Sequence, residues 1–137
     1  MPGQARGFRN QNPGNIRKSP EQWRGMSSAQ PDPAFVTFIA PVYGIRAIVK
    51  ILISYQARGL HTIRQMINAW APPVENDTGA YVEDVSREVG SSPDQIVSVQ
   101  NRDLCARMVA AIIRHECGSQ PYGVNVIQDA MTLAGIS

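Results

Sequence analysis

At 137 residues and 43% hydrophobic content, the chain is long enough for one domain with a real core and short for two. No apolar run approaches the ~18 residues of a membrane span, and the longest, "IRAIVKILISY", is broken by Arg46 and Lys50. The formal net charge of +2 hides an uneven spread: residues 1–25 carry five basic groups against Glu21, whereas residues 75–137 carry nine acidic and four basic ones. Such a basic arm fits either an anionic polymer partner or a plain solvated terminus.

The first forty residues hold five of the ten prolines, which predicts loops and a small β-hairpin built from Ile16–Lys18 and Phe35–Phe38. Asn12-Pro13-Gly14 reads as the turn that feeds it. Helical periodicity takes over after residue 41. "GIRAIVKILISYQARG" places Ile45, Ile48, Val49, Leu52 and Tyr55 on one face and stops at Gly59. "TIRQMINAWAP" predicts a helix to about Trp70, ended by Pro72 and Pro73. "NDTGAYVEDVSREVG" predicts one capped by Asn76, Asp77 or Thr78 and closed by Gly90. The strongest helix is "NRDLCARMVAAIIRHECG", with Leu104, Cys105, Met108, Val109 and Ile112 as its apolar stripe. A last helix is expected from near Asn125 to Gly135. The fold class is therefore mostly α, an α+β domain over residues 1–137 with a small hairpin near its start.

The two cysteines, Cys105 and Cys117, lie on one predicted helix about 18 Å apart along its axis, beyond disulfide reach. That spacing fits reduced thiols and a reducing compartment. The start "MPGQARGFRN" lacks a signal-peptide core, so synthesis in the cytoplasm is expected, with separate delivery for any work outside it.

Three stretches could carry chemistry. In "AAIIRHECGSQPY", Glu116 continues the buried stripe through Cys105, Val109 and Ile112 and stands at a helix C-terminus. Burial and the helix dipole both disfavour a carboxylate there, so a carboxyl protonated near neutral pH is expected. Such a group can protonate a glycosidic oxygen; the alternative is a Glu that curls into solvent. His115 points about 100° away and cannot share a ligand with it. Only His61 and His115 exist and no paired ligand spacing occurs, so neither zinc nor any other cofactor is implied. A Cys–His nucleophile has no support from spacing.

In "WAPPVENDTGAY", Glu75, Asn76, Asp77 and Thr78 crowd a helix start, with Tyr81 one turn in. Hydrogen-bonding groups beside an aromatic face suit a sugar, although simple capping explains one or two of them. In "RGFRNQNPGNIR", Asn12 and Asn15 make an amide-rich turn, a weak signal for carbohydrate on its own.

Together "RGFRNQNPGNIRKS", "FVTFIAPVYGIRAIVKIL", "TIRQMINAWAPPVENDTGAY" and "IIRHECGSQPY" resemble the lysozyme-like lytic enzymes of bacteriophages, over roughly residues 6–123. These include the lytic enzyme of enveloped double-stranded RNA phages and small tailed-phage endolysins. The resemblance implies peptidoglycan glycan-strand cleavage by a muramidase or lytic transglycosylase, with Glu116 as general acid; a hydrolytic mechanism needs a second catalytic carboxylate, for which Glu75 is the candidate and Asp77 a weaker one. It implies Asn12, Asn15, Asn76, Thr78, Tyr81 and Tyr122 as substrate-binding residues. It further implies a monomer that needs no nucleic acid and reaches the wall through a holin or within a virion. The order departs from the usual one, since Glu116 follows the hairpin region instead of preceding it, and is read as a circular permutation. Rival expectations are a peptidoglycan endopeptidase, or a non-catalytic virion or nucleic-acid-binding protein.

Overall fold

The computed structural model describes residues 5–74 and 76–137. In chain order the helices are α1 (Arg6–Arg9), α2 (Pro41–Ala57), α3 (Ile63–Trp70), α4 (Thr78–Val89), α5 (Arg102–Cys117) and α6 (Val124–Leu133). Their ends are set by local chemistry. Pro41 opens α2, Thr62 and Gln65 form a reciprocal capping box on α3, and the Asp77 and Asn101 side chains accept from the first turns of α4 and α5. Gly90 and Gly118, both left-handed, close α4 and α5.

The periodic faces meet in one hydrophobic cluster. Ile45, Ile48 and Leu52 of α2 pack with Ile63, Met66 and Ile67 of α3, Met108, Ile112 and Ile113 of α5, and Met131 of α6, all fully buried. Helix α2 lies against α6, and α4 is wedged against α3 and α5. Arg102 ties the ends of α5 and α6 together, its guanidinium donating to the Gln128 and Ile136 carbonyls at 2.7 Å each. No helix among the described residues is long and apolar enough to cross a membrane.

The first forty residues differ from expectation in two ways. A single helical turn, α1, occupies a stretch expected to be loop. The expected hairpin is reduced to two isolated antiparallel bridges, Arg17 with Phe35 and Met26 with Phe38. Side chains replace the missing ladder. Gln30 both donates to and accepts from the Thr37 backbone, at 2.8 and 2.9 Å, and Asn12 donates to the Ile16 and Val36 carbonyls. A backbone satisfied by side chains has no need of a continuous strand partner.

Asp32 holds this region to α1. Its carboxylate, 8% exposed, accepts two bonds from the Arg6 guanidinium at 2.6 Å, one from Asn10, and others from the Ala34 and Phe35 amides. The Arg6 guanidinium above all, then the Ala34 amide and Asn10, hold the Asp32 carboxyl far below the usual carboxylate range. A carboxyl depressed by folding stabilises the fold fully above its unfolded value of ~3.9, and that stability is lost as pH falls below it. Thermal melts from about pH 6 down to about pH 2 should therefore show Asp32→Asn melting lower than wild type at the upper end and converging with it in acid. A constant gap across that range would mean the clamp is not ionic.

Candidate functional site

Helix α5 ends at Gly118, whose φ of 83° turns the chain out of the helix without a Cβ clash. Glu116 thus stands in the last turn, half-buried, on the wall of a cleft of about 400 Å³. Asn15, Arg17, Tyr55, Trp70 and Asn76 line the same cleft, drawn from the N-terminal turn, α2, α3 and the loop before α4. Residues distant in sequence are brought together here by packing.

Two groups fix the carboxyl. Tyr81 Oη donates to Glu116 Oε2 at 2.9 Å, and Asn15 Nδ2 donates to Oε1 at 3.2 Å. Tyr81 is 1% exposed; burial first, then the neighbouring Glu116 charge, push its hydroxyl well above the ordinary value, so it stays a donor. The Tyr81 ring is stacked by His115 at 3.7 Å, and His115 Nδ1 lies 3.3 Å from Asp84 Oδ2. His115 thus turns away from the cleft and supports Tyr81 from behind. Asn15 takes a left-handed conformation with φ 50°, which an Asn tolerates, and its Oδ1 is buried without a partner.

Several residues expected to touch a ligand have other work. Asn12 is fully buried, donates to two carbonyls and accepts from the Ile16 amide at 3.0 Å, so it builds the turn and cannot reach a substrate. Thr78 is buried and donates to the Ala71 carbonyl at 2.6 Å, pinning the start of α4. Tyr81 orients Glu116 from beneath instead of offering a face to the cleft. Tyr122 packs edge-on against Phe8 at 5.8 Å and is not part of the cleft lining. Asn15 and Asn76 do line the cleft. Glu75 lies outside the described residues.

Sequence reasoning missed Arg17, Phe35, Tyr55 and Trp70 as cleft residues. The available signal was amphipathic aromatics, Tyr55 and Trp70, near the C-terminal ends of their helices, where a ring is covered on one side only. The cysteines are free. Cys117 Sγ donates to the Pro13 carbonyl at 3.3 Å, and burial, then the Glu116 charge, push its thiol up to about 11. Cys105 is buried and likewise pushed up to about 11. Neither suits a thiolate nucleophile at neutral pH. Among the described residues no three His, Cys, Asp or Glu side chains gather as a metal-holding set.

Two outcomes follow. Asn12→Ala should cost about 3 kcal/mol in chemical denaturation, because it strands buried backbone groups, whereas Asn76→Ala should cost under about 0.5 kcal/mol. Equal costs would remove the distinction between turn builder and cleft residue. Iodoacetamide alkylation of the half-buried Cys117 should accelerate only as pH approaches about 11, and the fully buried Cys105 should stay unmodified in the folded chain. A half-maximal rate near the ordinary thiol value of ~8.5 would contradict the protonated-thiol picture.

No protein-family model matches the chain. It is 38% identical over 128 residues to "Protein P5" of Pseudoalteromonas phage PM2, an alignment covering 90% of this chain and 78% of that protein. The relative's name states no activity. Identity at that level over nearly the whole chain shows common descent, and the chain belongs to the family of the phage PM2 protein P5.

Proposed function

We propose that the protein cleaves the glycan strands of peptidoglycan, as a lysozyme-like muramidase or lytic transglycosylase, with Glu116 as the general acid. The observation that carries this reading is a half-buried carboxyl held at two points, by Tyr81 and Asn15, on the wall of an open cleft. Trp70 and Tyr55 offer flat apolar surface, and Asn15, Asn76 and Arg17 offer hydrogen bonds, the pairing of surfaces that a pyranose needs.

Glu116 would donate its proton to the oxygen linking N-acetylmuramic acid to N-acetylglucosamine as the C1–O bond breaks. Tyr81 and Asn15 each fix one carboxyl oxygen, which orients the acid for transfer to the bridge. A half-turn of the Asn15 amide would present its unpartnered Oδ1 to the protonated acid, so one residue can serve both protonation states. In the transglycosylase version the Glu116 carboxylate then takes the proton from the muramyl 6-hydroxyl, whose oxygen closes on C1 to give an anhydro sugar. In the hydrolytic version a second carboxylate activates water, and Glu75 is the candidate. Delivery to the wall, through a holin or within a virion, belongs to the same proposal. The protonated thiols of Cys105 and Cys117 count against a cysteine endopeptidase of the peptide cross-links.

Glu116→Gln should lose at least ~100-fold in clearing of permeabilised Gram-negative cells while keeping its circular dichroism spectrum. Tyr81→Phe should lose roughly 10-fold through a less well-placed acid. Reducing-end assays run beside amine-release assays separate glycan from peptide cleavage, and mass spectrometry separates the anhydro product from the hydrolytic one by one water. Near-normal clearing by Glu116→Gln would falsify the assignment.

A further inference from the structure

A second concavity, about 500 Å³, lies on the other flank of α2. Arg46, Lys50 and Ser54 follow one another at i, i+4 and i+8, so they form a single row along that helix, about 12 Å long. The loop carrying Glu21, Trp23 and Arg24 supplies the facing wall. Three cations thus share a groove with one acid, and among the described residues none of the three makes an ion pair. Arg46 donates only to the Leu133 carbonyl, at a long 3.4 Å. The Trp23 indole Nε1 is buried and has no hydrogen-bond partner.

Three cations gathered in a concave surface with a single acid, Glu21, leave an excess of positive charge that focuses a positive potential into it. The Trp23 side chain lines the groove beside them. The ligand chemistry that satisfies the three cations is a branch bearing carboxylates. Its direction of entry is given by Ile51, which lines both this groove and the Glu116 cleft. A branch leaving a polymer in the cleft can cross the Ile51 ridge into the groove without leaving the protein surface.

Resting on the glycan-cleavage reading, we infer that the Arg24–Arg46–Lys50 groove binds the carboxylates of the stem peptide carried by the muramyl residue. The groove makes peptide-bearing peptidoglycan, and not bare glycan, the preferred substrate.

The test uses the full chain and its Arg24→Gln/Lys50→Gln double variant, which leaves the Arg46 contact to α6 intact. The probe is a free stem tripeptide, L-alanyl-γ-D-glutamyl-diaminopimelate, added without sugar. Saturable movement of the Trp23 indole N–H resonance is expected, with affinity about 10-fold weaker in the double variant and falling with added salt. On intact sacculi the double variant should show a KM raised about 10-fold with kcat retained, and no such rise on sacculi stripped of peptide by an amidase. An unmoved indole resonance, or equal KM effects on both kinds of sacculi, overturns the inference. Duplex DNA or anionic lipid vesicles moving that resonance where the peptide does not also overturns it, by assigning the groove to another anion. The catalytic reading is tested apart from this, since it fails if the wild-type chain releases no glycan fragments or if Glu116→Gln clears cells near-normally, whatever the stem peptide does.

Discussion

At Glu116 the two ends of the protein press against each other, and the cleft exists because they can come so close. Asn15 and Glu116 are 101 residues apart in sequence yet share a hydrogen bond. The approach is possible because residue 7 is glycine. A Cβ there would stand 2.8 Å from Cys117 Sγ and 2.9 Å from the Asn12 carbonyl, closer than such atoms can pack. The single turn of α1 therefore acts as a wedge whose thin edge meets the last turn of α5. Asp32, through Arg6 and Asn10, keeps that wedge seated. Closing so long a loop costs conformational entropy, and the buried Asn12 network and the α1–α5 contact are what offset it at this end.

The support of the carboxyl is layered. Tyr81 touches it, His115 stacks on Tyr81, and Asp84 faces His115. Each layer belongs to α4 or α5, and the two helices pack directly, so the arrangement rests on rigid elements and not on loops. A phenol that burial keeps protonated is a better fixed donor than an exposed side chain, because it has no competing water. The cost is that Tyr81 offers no open face to the cleft, whereas Trp70 and Tyr55, whose rings are only partly covered, do line it.

Helix α2 organises everything else. One face, with Ile45, Ile48 and Leu52, belongs to the core, while Ile51 and Tyr55 border the Glu116 cleft and Arg46, Lys50 and Ser54 border the basic groove. A helix of 17 residues with three differently employed flanks explains its modest amphipathicity: the charged residues that interrupt its apolar run are lining and not merely solvated. The same two residues, Arg46 and Lys50, are what break the run as a membrane span.

How far the sequence speaks follows the range of the forces involved. The five longer helices and the last-turn position of Glu116 are set by interactions within four residues and are legible in the chain; the α4 cap stays open among Asn76, Asp77 and Thr78 until the structure chooses Asp77, and the structure adds the caps at Thr62 and Asn101. The hairpin was not legible, because Asn12 and Gln30 compete for the backbone partners that a strand would use, and that competition depends on contacts up to 24 residues away. Nor could spacing tell Asn12, a fully buried turn builder, from Asn15, three residues on and in the cleft. Which polar side chain faces inward and which meets solvent is decided where separate segments touch. Local periodicity names the elements of this protein; packing between its two ends chooses the residues that line its cleft.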